Sequence, residues 1–209
     1  NILQSYFPKP IHIIGSLNHE KPTSNLITSL RKKILTTKSK NKKYLLLCPS
    51  IGDENLILSF FENCDHSNYN IILSPHPTHK KKILKNYFNK LDNKFEIKTF
   101  DNYSTNELIL ISDIVVCSMS TVAYEALFSN VMSVRLINES VPPFFNTEDK
   151  LPIIDNYADF NDLMSGKLNF KLKKKDFIKL QEHYFYKIDN NVHRRFWSSL
   201  SKFENKFKK

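Results

Sequence analysis

The chain is poor in the residues that make linkers, spans and staples. Among 209 residues there are three glycines, Gly15, Gly52 and Gly166. No Gly/Ser tract is therefore available as a flexible linker, and no internal repeat is present. Asn and Lys abound instead, a bias that an AT-rich genome would produce. No window approaches the roughly 18 unbroken apolar residues of a membrane span, and the N-terminus lacks a signal-peptide pattern. Cysteine is limited to Cys48, Cys64 and Cys117. An odd number, two of them inside apolar strand-like runs, excludes a disulfide framework and reads as buried thiols in a reducing compartment, the cytosol by default. The chain opens at Asn1 rather than Met, and the expectation is of an excised piece with a partner domain ahead of it.

What is there is a globular composition, 41% hydrophobic and 12% aromatic, with enough length for one sizeable core. The net charge of +10 is uneven: residues 167–209 hold 13 Lys+Arg against 4 Asp+Glu, while the first 166 hold 18 against 17. The body is nearly neutral and the tail is basic, which excludes a protein coated in nucleic-acid-binding charge and leaves one local basic element.

The polar run "TTKSKNKK" (36–43) is the best boundary, following a helix-like segment. After it, apolar runs of strand length alternate with amphipathic segments. The strands read "KYLLLCPS", "YNIILS", "FEIKTF", "DIVVCS" and "VMSVRLI". The helices between them read "DENLILSFFENC", "THKKKILKNYFNKL", "STNELILI" and "STVAYEALFSN". Uninterrupted apolar strands alternating with amphipathic helices predict a doubly wound α/β domain, a parallel sheet covered on both faces. The expected organisation is residues 1–42 as the end of a preceding domain or linker, with "IHIIGS" as one strand, 43–166 as the α/β domain, and 167–209 as basic amphipathic helices packed on it.

Such sheets bind ligands beyond the carboxyl ends of their strands. Two strand ends stand out. In "CSMSTVAYEAL" (117–127), the strand ends at Ser118, Ser120 and Thr121 open a helix, and Glu125 follows Thr121 at i+4. Hydroxyls beside the N–H groups that open a helix suit a phosphate, and a carboxylate one turn on suits a ribose diol. The plainer alternative is Ser120 as a helix cap, with Glu125 as its capping-box partner or a solvated residue. In "SPHPTH" (74–79), Pro75 and Pro77 fix the backbone on either side of His76, and Thr78 and Lys80–Lys82 follow. A fixed imidazole there can donate to a phosphate. His76 and His79 form an HxxH, but no cysteine or carboxylate at zinc-like spacing accompanies them. At the first strand end, "CPSIGDE" (48–54) offers Ser50 and Gly52 as cleft-lining residues, with Asp53 and Glu54 beside them.

A strand ending in His-Pro, then about forty residues later a strand ending in Ser-x-Ser-Thr before "YEAL", resembles the C-terminal nucleotide-binding domain of GT-B glycosyltransferases. The resemblance is greatest to bacterial sialyltransferases, polysialyltransferases and related capsule or lipopolysaccharide transferases that use CMP-sugars. "DNYSTNELILISDIVV" also looks like the family's segment leading into the second motif, and the likeness covers roughly residues 43–140. It implies a cytoplasmic glycosyltransferase, peripheral on the inner membrane, that takes a CMP- or UDP-linked sugar to a glycan or lipid-linked acceptor. It places His76, Ser120 and Thr121 at the donor phosphate, with His76 stabilising the leaving phosphate, Glu125 at the ribose, and Pro77 and Ser118 among the donor-binding residues. No metal or other cofactor is implied. Such transferases carry their base in a short Asp/Glu-Gly motif of the N-terminal domain. No equivalent occurs before residue 43, so no base is assigned. Two other readings stay open: a UDP-N-acetylglucosamine 2-epimerase-like enzyme, which would need further carboxylates, and a non-catalytic nucleotide-binding or scaffold module.

The tail has its own pattern. Phe177, Leu180, Tyr184 and Ile188 follow helical spacing, as do Phe196, Leu200, Phe203 and Phe207, with lysines between them. Helices packed on the domain account for most of this. A basic amphipathic face for anionic lipid is the functional reading. No RNA module is recognisable, and nucleic acid is not an expected partner.

Overall fold

Six apolar segments form one parallel sheet, one more than the five expected. The computed structural model describes residues 23–34, 42–62, 64, 68–76, 97–99, 102–138, 151–168, 170, 173–185 and 191–207. The expected strand "IHIIGS", the helix "THKKKILKNYFNKL" and the residues Pro77, Thr78, His79 and Lys80–Lys82 lie outside these. The chain divides into two compact units, residues 22–171 and residues 1–21 with 172–209.

In the first unit the strands are β1 (Lys43–Cys48), β2 (Tyr69–Leu73), β3 (Ile97–Thr99), β4 (Ile114–Cys117), β5 (Met132–Leu136) and β6 (Ile153–Ile154). Their order across the sheet is β3-β2-β1-β4-β5-β6. The helices are α1 (Ser24–Ile34), α2 (Glu54–Glu62), α3 (Thr105–Ile111), α4 (Val122–Phe128) and α5 (Tyr157–Ser165). The central strands carry no polar alternation because both their faces are covered. Leu45, Leu47, Ile71, Leu73, Ile114, Val116, Val134 and Leu136 pack with Leu56, Phe60 and Phe61 of α2 and Phe160 and Leu163 of α5. The alternate residues Leu46, Ile72 and Val115 are fully buried on the opposite face. Helices α1, α3 and α4 pack in sequence there, and α3 buries Leu108, Ile109 and Ile111.

Two details fix the ends of elements. Helix α5 opens on Asn156, whose side chain accepts the Asp159 N–H at 2.9 Å, and stops at Gly166, left-handed at φ 79°. Strand β4 is tied to β1 by Asp113: its N–H donates to the Tyr44 carbonyl at 2.8 Å, and its carboxylate accepts the Tyr44 N–H at 2.7 Å. Strand β6 pairs Ile153 with Arg135 and Ile154 with Leu136. Helix α1 packs on α3 and buries Leu30 and Ile34, so residues 24–34 belong to the α/β unit's own core.

The second unit contains α6 (Lys174–Phe185) and α7 (Val192–Phe207). Both fall where helical spacing predicts them. No helix among the described residues is long and apolar enough to cross a membrane.

Candidate nucleotide site at the strand switch

After β1 the chain winds outward through β2 and β3, then returns to the other side of β1 with β4 and winds the opposite way. The reversal lies between β1 and β4, where Cys48 pairs with Cys117. Connections leave these two strands on opposite sides, which opens a crevice beyond their carboxyl ends. The "CPSIGDE" and "CSMSTVAYE" segments border it directly, and "SPHPTH" begins at the end of the next strand, β2.

The β1 segment is a hydrogen-bonded turn. Asp53 N–H donates to the Ser50 carbonyl at 3.4 Å, and Ser50 N–H donates to Asp53 Oδ1 at 2.8 Å. Gly52 occupies the third position at φ 91°, the value a type II turn requires there. A Cβ on Gly52 would meet nothing within 4 Å, so the need for glycine is conformational and not spatial. Gly52 N–H donates to Glu54 Oε2 at 2.9 Å. Asp53 is fully buried, while Ile51 at the tip is 59% exposed. Ser50 is half-buried beside it.

The β2 segment is tied to β1. Ser74 N–H donates to the Leu47 carbonyl at 2.9 Å and His76 N–H to the Pro49 carbonyl at 3.3 Å. Ser74 Oγ shares a 2.8 Å hydrogen bond with Thr105 Oγ1 at the start of α3. His76 itself is exposed, on a backbone held to the neighbouring loop.

The β4 segment turns immediately into α4. Ser120 is half-buried, and its Oγ accepts the Val122 N–H at 3.3 Å. The cap position belongs to Thr121, which is exposed and makes no capping bond with its side chain. Glu125 lies in the first turn of α4, half-buried. It is the fourth residue after the Thr121 cap, one past the position that a capping-box partner takes. Ser118 is placed differently from the other hydroxyls. It is 2% exposed, and its Oγ has no hydrogen-bond partner among the described residues.

Beneath this rim lies a row that the sequence reading missed. Cys48, Cys117 and Arg135 are successive register partners across β1, β4 and β5. Arg135 is 1% exposed; its Nη1 donates to the Ser118 carbonyl at 3.4 Å, and its guanidinium carbon sits 5.0 Å from the Tyr124 ring centroid. Ser133, two residues earlier on the same face, donates to the Ala123 carbonyl at 2.9 Å. Strand β5 therefore holds the first turn of α4 in place with two side chains. The signal was in the sequence: a single arginine interrupts the apolar run "VMSVRLI". Burial pushes the Cys48 thiol well up, and Cys117, Glu125 and Asp53 push it the same way.

Strands about 4.8 Å apart put the ends of β2 and β4, on either side of β1, about 10 Å from each other. An exposed imidazole, a half-buried and an exposed hydroxyl, and a carboxylate therefore stand at or just beyond the strand ends flanking the switch. That set suits an anionic ligand carrying a diol. Among the described residues no three His, Cys, Asp or Glu side chains cluster as a metal site.

With this geometry in view, the comparisons with known proteins divide sharply. No family model and no curated protein matches the chain. Solved structures do. The wall teichoic acid polymerase TagF superimposes with a TM-score of 0.55 at 17% identity, over 88% of this chain and 48% of that one. A histidine-to-asparagine TagF variant soaked with CDPG gives 0.52 at 18% identity, over 88% of this chain and 47% of that one. The C-terminal CMP-Kdo binding domain of WaaA from Acinetobacter baumannii follows at 13% identity, over 83% of this chain and 99% of that domain. Its TM-score of 0.47 is too low to build on. The likeness is one of fold: a Rossmann-like α/β domain like those of GT-B glycosyltransferase structures. The chain spans about half the length of the TagF structures it matches, 48% in the first of them.

Proposed function

We propose that the chain is the donor-binding half of a glycosyltransferase of surface-polysaccharide biosynthesis, working on a nucleotide-activated sugar, with a cytidine nucleotide preferred over a uridine one. The observation that supports this reading is the position of His76, Ser120, Thr121 and Glu125 just beyond the ends of β2 and β4, on either side of β1. The fold shared with TagF supports it, as does the presence of CDPG in one TagF experiment.

In this reading the Ser120 and Thr121 hydroxyls and the His76 imidazole hold the donor phosphate, and Glu125 accepts from the ribose hydroxyls. When an acceptor hydroxyl attacks the anomeric carbon, the bond to the phosphate oxygen breaks and charge collects there. Donors already fixed by the turns at β2 and β4 stabilise that charge without reorganising. The acceptor's proton goes to a general base that is not assigned; Asp53, fully buried with its Oδ1 accepting the Ser50 N–H, is not placed to be that base. Ser118 acts differently from its neighbours: its carbonyl anchors Arg135, and its hydroxyl faces inward. The enzyme is read as cytoplasmic.

A second reading follows from the TagF likeness: a CDP-linked polyol donor instead of a CMP-sugar, with the same nucleotide contacts. Calorimetry with CMP, CDP and UDP tests both. CMP or CDP should bind, and His76→Ala should weaken binding about tenfold or more, the loss of one charge-assisted hydrogen bond. Stronger binding of CDP than of CMP favours the polyol donor. Binding of UDP alone would remove the cytidine preference and favour an epimerase-like enzyme. No binding of any of the three would remove the donor site.

A further inference from the structure

The three strand ends flanking the switch are not held alike. The turn after β1 carries its own bonds between Ser50 and Asp53, and the loop after β2 is tied to β1 by the N–H groups of Ser74 and His76. Side chains within the turn after β4 hold it less. Ser120 Oγ accepts one bond of 3.3 Å, and the Thr121 side chain makes no capping bond. Ser118 is buried, and its Oγ has no hydrogen-bond partner among the described residues. Support reaches this turn from β5. Arg135 Nη1 donates to the Ser118 carbonyl at 3.4 Å, and its guanidinium carbon lies 5.0 Å from the Tyr124 ring centroid. Ser133 Oγ donates to the Ala123 carbonyl at 2.9 Å.

Packing does not explain an arginine at that place. Its row across the sheet continues through Cys117 and Cys48, and on the same face Leu46 and Val115 are fully buried. A guanidinium taken out of water there costs free energy, and an apolar side chain of like volume often serves a fold as well. An arginine, unlike a lysine, combines a donor fork for a carbonyl with a flat cation for a ring. We propose that Arg135 is the positioning residue of the donor-phosphate turn, an inference that rests on the donor reading. At 1% exposure it acts through the turn and not on the ligand. The link is the peptide plane. The C=O and N–H of a trans peptide point opposite ways, so a Ser118 carbonyl turned to Arg135 directs the Met119 N–H away from it. The Tyr124 contact fixes the helix side, with Ser120 and Thr121 between the two holds. The hydroxyls read as phosphate ligands thus keep one geometry before a ligand arrives.

The test uses the whole chain, titrated by NMR with CMP and with cytidine, as wild type, Arg135→Met and Arg135→Lys. Urea unfolding checks that each variant is folded. Arg135→Met keeps much of the volume without the charge, and Arg135→Lys keeps the charge without the fork. Both should bind CMP roughly tenfold more weakly, the scale of loss when a support behind a ligand-holding group is removed. Cytidine has no phosphate, and each variant should bind it within about twofold of wild type. A role in stability alone would not separate the two ligands. Unchanged CMP binding by a folded variant, or an equal loss for CMP and cytidine, would overturn the proposal and leave the donor reading standing. Failure of both variants to fold would make Arg135 a structural residue and overturn it too. A wild type that binds neither ligand overturns the donor reading and the proposal with it.

Discussion

A guanidinium inside a β-sheet brings five N–H donors and no acceptor, so its surroundings must supply the partners. Arg135 has to be held by what surrounds it, and the Ser118 carbonyl and the Tyr124 ring do part of that holding. Removing the side chain takes away both contacts and leaves a void under the turn that carries Ser120 and Thr121. Arg135→Ala should cost about 2–4 kcal/mol in urea unfolding, in the range of other large-to-small core changes. Arg135→Lys keeps a charge but not the flat fork, and should recover only part of that loss. Equal stability of wild type and Arg135→Ala would show that the turn does not depend on β5. At this scale legibility was mixed. The strand-end positions of His76 and Ser120 were legible because prolines and a strand-to-helix change mark them. Arg135 was not, since one arginine in an apolar run reads as easily as an edge residue. The inward turn of Ser118 depends on which face each strand position takes, and that requires the register.

Elements were legible where local chemistry closes them. Helix α3 begins with a capping box: Ser104 Oγ accepts the Glu107 N–H at 3.3 Å, and Glu107 Oε2 accepts the Ser104 N–H at 2.8 Å. Those two residues appear in "STNELILI", and the helix falls where they predict. Hydrogen bonds from the Ser104 backbone and hydroxyl lower the Glu107 pKa from its ordinary 4.5. A carboxyl with a lowered folded pKa stabilises the protein above its unfolded pKa, and that contribution is lost as pH falls through the folded value. Ser104→Ala should therefore cost about 1 kcal/mol at neutral pH. Glu107→Gln should destabilise at neutral pH and match wild type at pH values well below 4.5. A Glu107→Gln deficit that persists unchanged in acid would contradict the charged capping box. Strand β6 escaped the sequence reading for the opposite reason. Two residues, Ile153 and Ile154, have no periodicity of their own and become a strand only by pairing with Arg135 and Leu136.

At the scale of the molecule, the parallel sheet was legible because buried strands such as Leu45–Leu46–Leu47 and Ile71–Ile72–Leu73 have no polar face to display. Strand order was not, since nothing in residues 43–48 or 114–117 states that they are neighbours. Yet the candidate site depends on that adjacency, which brings the turn of Gly52, the tied loop of His76 and the hydroxyls of Ser120 and Thr121 to one edge of the sheet. The proposed activity needs all three strand ends and a general base that is not assigned. The most direct test is where a nucleotide sits. Backbone amide shifts should be followed by NMR as CMP or CDP is titrated into the protein. The account predicts the largest changes at residues 50–53, 74–76 and 118–125, saturating together. Changes confined to any other part of the chain, or none at nucleotide concentrations well above those of a cell, would contradict it.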